Sequence, residues 1–149
     1  LRELGCFTED QIVDIEAAIR AHNAPPQLPS NPGAPDLTTI LRDADTLDLL
    51  GVVGLVRGIT SRHTLPLFPP HKARGELWGI SGEELTQRRQ AGLPIATTMA
   101  DQINFQIACY DNLGTRTARD LGAPLVAVLR VFLIQLEREV EGRSQEALE

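Results

Sequence analysis

The sequence predicts an all-α fold, a helical bundle without a sheet, and three observations support that prediction. Apolar residues recur every three or four positions in several segments, which is the spacing of an amphipathic helix. Several of those segments begin with the residue pattern of a helix N-cap. Nowhere in the 149 residues do apolar and polar side chains alternate for long, as they would in a half-buried strand.

Composition is that of a globular protein, with 42% hydrophobic and 23% charged residues in a length that suits one domain. The net charge of −6 argues against a broad nucleic-acid-binding face, because such a face needs lysine and arginine to neutralise phosphates. Cys6 and Cys109 match no zinc pattern and are expected to be free thiols. Without a signal peptide or a membrane-spanning run, the expected location is the cytoplasm. Oligomeric state is left open.

A first helix is predicted from residue 9, because Thr8 and Gln11 form a capping box. Five prolines between residues 25 and 35 then exclude a helix, so residues 23–35 are predicted to be an extended connector. One face of the first helix is apolar and ends in a histidine: Ile12, Ile15, Ile19 and His22.

A second helix is predicted over residues 37–58, with Asp36 as its N-cap. Its second half is apolar on nearly all sides, which is typical of a central helix surrounded by others. Gly51, Gly54 and Gly58 lie at helical spacing within it, and they would let a neighbouring element approach closely.

Residues 60–94 are predicted to be an irregular excursion, interrupted by one short helix over residues 81–90. Ser81 and Glu84 form the capping box of this helix. Long loops of this kind are often lids or binding loops. The excursion holds four basic side chains: His63, His71, Lys72 and Arg74.

Regular helical spacing returns after residue 97. Thr98 and Asp101 have the form of a capping box, and Gly114 is expected to interrupt the helix that they start. A turn or two over residues 115–121 should follow. The last helix is predicted to begin at Pro124, because proline suits the first helical position.

The aspartates of the second helix are the first candidates for chemistry. On one straight helix Asp45 is in line with the apolar residues 41, 49, 52 and 56, so it should point toward the core, with Asp48 beside it. Asp43 is rotated by about 200° and should face elsewhere. An ionised carboxylate in an apolar setting needs a partner. For Asp45 that partner could be an arginine, the N-terminus of another helix, or a metal.

Two segments read together resemble the HD superfamily of metal-dependent phosphohydrolases, most closely its small single-domain members. Residues 15–22 have the pattern Ile-x-x-Ala-Ile-x-x-His, and residues 43–57 the pattern Asp-Ala-Asp-x-Leu-Asp-x-x-Gly-x-x-Gly-x-x-Arg. The similarity continues through Thr-x-x-Ala-Arg at 115–119 and Phe-Leu-x-x-Leu-Glu at 132–137. It covers most of the chain outside residues 60–94.

The resemblance implies a helical site in which a divalent metal polarises a phosphoryl oxygen and lowers the pKa of bound water. The substrate would be a nucleotide or related phosphate ester. Asp45 matches the last aspartate ligand, and His22 matches a second ligand or a phosphate contact. Mn, Mg, Fe, Co, Ni and Zn all suit such ligands. The expected substrate-binding residues are Asp48, Arg57, Lys72 and Arg74.

One part of the family pattern is missing, because no histidine of the 149 residues is followed by aspartate. In relatives the first histidine and the His-Asp pair precede the segment that contains His22. We therefore expect the ligand set to be completed by residues upstream of Leu1. The alternative is a non-catalytic binding or scaffold domain that keeps the fold without the metal.

Overall fold

The structure is a computed structural model and describes residues 5–22, 36–69 and 72–146. Within those residues it contains helices and no strand, so the predicted all-α fold is confirmed. None of the helices in this part of the chain is long and apolar enough to cross a lipid bilayer. In chain order the helices are α1 (Glu9–Ala21), α2 (Leu37–Asp48), α3 (Gly51–Ser61), α4 (Gly82–Gln90), α5 (Met99–Asp111) and α6 (Arg116–Glu146). The connector predicted over residues 23–35 and His71 lie outside the described residues.

Four helices begin at the caps that the sequence predicts. Reciprocal capping boxes start α1, α4 and α5, where the N-cap hydroxyl accepts from the N3 backbone and the N3 side chain accepts from the N-cap backbone. At the start of α2, the Thr39 N–H donates to the Asp36 carboxylate over 2.6 Å. That backbone hydrogen bond lowers the pKa of Asp36. These caps act within four residues of sequence, which is why they are predictable.

The predicted single helix over residues 37–58 is wrong, because the chain turns between α2 and α3. Leu50 is extended, with φ −96° and ψ 168°, and Gly51 has φ +70°. A positive φ is accessible to glycine and interrupts the hydrogen-bond ladder of an α-helix. A side chain on Gly54 would overlap the Leu49 carbonyl oxygen, so the two helices approach closely at this turn.

The central helix is α5, and not α3 as the sequence indicated. The main core joins residues of α3, α5 and α6 around Ala100 and Ile103, which are almost inaccessible. Four polar side chains of α5 are also buried. They are Asp101, Gln102, Asn104 and Gln106.

Helix α3 packs through its glycines and leaves its valines exposed. The Gln106 Nε2 donates to the Gly54 carbonyl over 2.9 Å, and a Cβ on Gly58 would lie 2.8 Å from the same nitrogen. The glycines therefore do allow the close approach that was predicted. Val52, Val53 and Val56 point to solvent, so the apolar composition of this helix does not mean burial on all sides.

The last helix begins earlier than predicted. Instead of a separate turn followed by a helix from Pro124, α6 runs without a break over 31 residues, with Pro124 inside it. Proline removes one backbone donor and leaves the carbonyl four residues earlier without its partner. Both Pro124 and Asp120 are exposed, so water can satisfy that carbonyl.

The excursion after α3 contains α4, and the rest of its described part is irregular. Hydrogen bonds hold it against α5. The Leu77 N–H donates to Asp101 Oδ1 over 2.7 Å, and the Gly79 N–H donates to Asn104 Oδ1 over 3.1 Å. Earlier in the excursion, the Pro66 carbonyl accepts from the Met99 N–H over 2.7 Å. Buried polar groups of the central helix thus hold the long connection in place.

Candidate functional site

Arg42 fixes the end of α1 against α2. Its Nη2 donates to the Ala21 carbonyl over 2.8 Å and its Nε to the His22 carbonyl over 3.1 Å. The last carbonyls of a helix have no partner within the helix, and an arginine is well suited to bind them. Arg42 therefore sets where the imidazole of His22 lies over α2.

His22 and Asp45 meet across this junction. The His22 Nδ1 lies 2.5 Å from the Ile19 carbonyl oxygen, and the Nε2 lies 3.6 Å from Asp45 Oδ2. Because a carbonyl only accepts, Nδ1 carries the proton, and in the neutral ring Nε2 presents a lone pair. A separation of 3.6 Å is too long for a direct hydrogen bond, and a metal cation held between the lone pair and the carboxylate would be attracted to both.

The predicted orientations of the two aspartates are wrong. Asp45 is exposed, with 60% of its side-chain surface accessible, whereas Asp43 is only 5% exposed. The prediction assumed one straight helix whose inner stripe continued through residues 52 and 56. The helix instead breaks after α2, and Val52 and Val56 face solvent, so they do not indicate the buried side of α2.

Asp43 binds the start of α6. Its Oδ1 accepts from the Gly114 N–H and its Oδ2 from the Thr115 N–H, each over 2.8 Å. A carboxylate there also interacts favourably with the dipole of a helix that begins at the next residue. A side chain on Gly114 would overlap the methyl group of Thr39, so α2 can approach only because this position is glycine.

Asp48 and Arg57 form an ion pair with each other across the α2–α3 turn. Both side chains are 58% exposed, and Asp48 lies one helical turn after Asp45. The guanidinium is therefore held on the same part of α2 as the His22–Asp45 pair. Their assignment as substrate-binding residues stays a prediction.

Arg74 lies far from this site. It pairs with Glu137 and stacks over the Trp78 ring at 5.3 Å. Thr115, which binds Asp43, lies just before α6, and Glu137 is 22 positions later, which is about 33 Å along a helix at 1.5 Å per residue. Arg74 therefore contacts a part of α6 well separated from the end that Asp43 binds, and its assignment as a substrate-binding residue stays a prediction.

The remaining predicted basic residues make few contacts. Lys72 is exposed, two residues before Arg74. His63 is exposed and its Nδ1 lies 3.3 Å from the Thr60 carbonyl of its own helix end. The structure gives neither side chain a hydrogen bond or an ion pair with His22.

No group of three or more histidine, cysteine, aspartate or glutamate side chains within residues 5–22, 36–69 and 72–146 is arranged to hold a metal. His22 and Asp45 by themselves supply one imidazole nitrogen and one carboxylate. That donor pair suits a divalent transition metal or magnesium, and the carbonyl bond to Nδ1 is the arrangement that orients ligating histidines. The residues present fit part of a metal site.

Asp101 is a buried carboxylate whose structural role extends beyond the helix capping that the sequence predicts. Burial opposes its ionised form, but the Leu77 N–H, Thr97 and Thr98 all donate to it and keep its pKa below the ordinary value. A side chain at Gly75 would overlap this carboxylate. The neighbouring threonines are the only signal in the sequence, and they indicate nothing about residues 75–77.

A groove of 480 Å³ lies between α4 and the turn before it, away from His22 and Asp45. Its lining mixes aromatic, aliphatic and charged side chains. Among them are Trp78, Ile80, Glu76, Glu84, Arg88 and Leu93. Arg88 already donates to the Pro94 carbonyl, and the Glu84 carboxylate accepts from the Ser81 N–H at the cap of α4, so much of this polarity is used locally.

Comparisons with known proteins reveal a similarity of fold. No family model matches the chain, and no curated protein matches it. It is similar to a crystal structure of a structural-genomics target from Lactobacillus plantarum, with a TM-score of 0.53 and 19% sequence identity. The match covers 95% of this chain and 65% of that one, so this chain spans about two thirds of the length of its structural neighbour. At this identity the likeness shows a shared helical fold.

Proposed function

We propose that the protein is a metal-dependent phosphohydrolase of the HD type that acts on a nucleotide or a related phosphate ester. The observation that carries the proposal is the 3.6 Å approach of His22 Nε2 to Asp45 Oδ2, with Nδ1 held by the Ile19 carbonyl. The Asp-Ala-Asp pattern and the helical fold are further support. Ligands from outside the described residues complete the set.

Each residue of the site has a distinct part in this proposal. Asp45 supplies negative charge to the cation, and His22 supplies an imidazole nitrogen whose direction is set by its bond to the Ile19 carbonyl. When bound, the cation polarises a phosphoryl oxygen and lowers the pKa of water. Arg57, which forms an ion pair with Asp48 one turn after Asp45, binds a phosphate oxygen in this proposal. Arg42 holds the end of α1 against α2 through its hydrogen bonds to the Ala21 and His22 carbonyls.

The test is Asp45→Asn in the full-length protein, assayed with p-nitrophenyl phosphate and with nucleoside mono-, di- and triphosphates in the presence of Mn²⁺. The variant keeps the side-chain size but removes the charge that a metal ligand supplies. We expect kcat/KM and metal retention to fall by about 100-fold or more, with the helical circular dichroism unchanged.

The matched control is Asp14→Asn, because Asp14 is an exposed aspartate on α1. It should leave activity and metal content as in the wild type. Equal activity per folded molecule in wild type and Asp45→Asn would make the phosphohydrolase proposal untenable.

A second candidate is a non-catalytic helical binding domain, which the exposed valines of α3 favour. In that case no metal is held between His22 and Asp45. Metal analysis separates the two candidates, since a binding domain would carry no metal that depends on Asp45.

A further inference from the structure

An exposed apolar surface of the described residues spans α3 and α6, and we call it the valine face. Exposed fractions on α3 reach 61% for Val52, 67% for Val53 and 53% for Val56. On α6, Leu121 is 58% and Val131 65% exposed. The valine face consists of Val52, Val53, Val56, Ile59, Leu121, Val128 and Val131.

The two helices contribute to one continuous surface. A Cβ on Gly51 would lie 3.1 Å from Leu125 Cδ2, so Leu125 packs against α3. Leu121 and Val128 are four residues before and three residues after Leu125, which places them on the same side of α6. The exposed side chains of α6 therefore adjoin those of α3.

Charge is scarce on the α3 part of the valine face. Arg57 is the one charged residue between Gly51 and Ser61, and Asp48 neutralises it. The cores of protein interfaces are depleted of charge in the same way, whereas an ordinary surface is not. A neutral apolar face has no need of a partner with opposite charge, and it complements a copy of itself.

We propose that the valine face is the interface of a two-fold symmetric homodimer. The exposed fractions correspond to on the order of 400 Å² of apolar surface per chain, taking roughly 100 Å² for each fully exposed side chain. Homodimer interfaces are about 65% apolar, so the whole interface would bury about 600 Å² per chain, or about 1,200 Å² in the pair. That total is at the lower end of stable, specific interfaces. The dimer should therefore be reversible, with a Kd in the micromolar range.

Sedimentation equilibrium of the full chain tests this proposal. From about 1 to 300 µM, the wild type should pass from monomer to dimer mass. Val56→Glu places a charge on the valine face and should weaken dimerisation at least about 10-fold. Val13→Glu is the matched control, because it makes the same change at a valine of α1 that is 58% exposed and outside the face. It should dimerise like the wild type.

The second variant, Val56→Thr, nearly keeps the volume of the side chain and replaces one methyl group with a hydroxyl. It should weaken the dimer in the same direction while the helical signal and Tm stay unchanged, which separates loss of the interface from loss of the fold. A wild type that remains monomeric at about 300 µM, the highest protein concentration of the sedimentation experiment, overturns the proposal. So does a monomer that cosediments with phosphatidylcholine vesicles, or a dimer that tolerates Val56→Glu as well as Val13→Glu. His22 and Asp45 are not part of the valine face, so these outcomes are independent of the phosphohydrolase proposal.

Discussion

At the scale of single residues, two aspartates of α2 that are two positions apart have opposite environments. Asp43 is buried and bound to two backbone N–H groups ahead of α6, whereas Asp45 is exposed beside His22. Such a buried carboxylate is stable because charge-assisted hydrogen bonds replace its hydration. Asp43 is therefore a structural residue, whereas the Asp45 carboxylate is accessible to solvent beside His22.

Asp43→Asn should lower the free energy of unfolding by about 1–3 kcal/mol, because an amide can accept from one of the two N–H groups but faces the other with a donor. Urea denaturation followed by circular dichroism measures this. Asp45→Asn is the control, since the change of an exposed side chain should alter stability by no more than about 0.5 kcal/mol. Similar losses in both variants would contradict the assignment of Asp43 to the start of α6.

Asp101 makes stability depend on pH. Its folded pKa lies below the ordinary value of 3.8, so its contribution is present above that value and is lost as pH falls through the folded pKa. We expect wild type to exceed Asp101→Asn in unfolding free energy at pH 7, and the difference to shrink below about pH 4. Urea titrations at pH 7, 5 and 3 measure the difference. A difference in unfolding free energy that stays constant from pH 7 to pH 3 would show that the excursion is not held by the charge of Asp101.

At the scale of elements, capping residues determine where helices begin, and glycines determine how α2 and α3 pack. The turn between α2 and α3 needs the positive φ of Gly51, and the approach of the two helices needs the missing side chain of Gly54. The valines between these glycines are left on the outside. Glycine spacing in α3 therefore determines which side of the helix is buried.

Gly54→Ala should destabilise the protein by at least about 2 kcal/mol, because the new methyl group would overlap the Leu49 carbonyl oxygen and the backbone cannot move aside easily. The opposite sign is expected for Gly142→Ala in α6, where nothing lies within 4 Å of a Cβ. There alanine should stabilise by about 0.5–1 kcal/mol through helix propensity. Thermal and urea unfolding of the two variants give both values, and a neutral Gly54→Ala would contradict the close packing at the turn.

At the scale of the whole molecule, α5 organises the structure through its buried polar side chains. Asp101 and Asn104 bind the excursion, and Gln106 binds α3 through the Gly54 carbonyl. The Oε1 of Gln106 is buried without a hydrogen-bond partner among the described residues. The side of the bundle that α5 does not cover includes the valine face, where we place the second copy.

By itself the sequence determined the fold class and the caps of α1, α2, α4 and α5. These depend on apolar spacing and on hydrogen bonds that span three or four residues, and both are visible in the order of the residues. It also identified the segments that carry His22 and Asp45. Their metal and substrate remain a proposal.

Only the tertiary structure decided which carboxylate is buried. Asp43 binds a residue 71 positions away, and Gln106 binds one 52 positions away, so no local pattern contains either contact. The periodicity of α2 could not be extended through α3, because a single positive φ at Gly51 changes the direction of the chain. Burial depends on which helix packs on which face, and that is decided when all the helices assemble together rather than by the composition of any one.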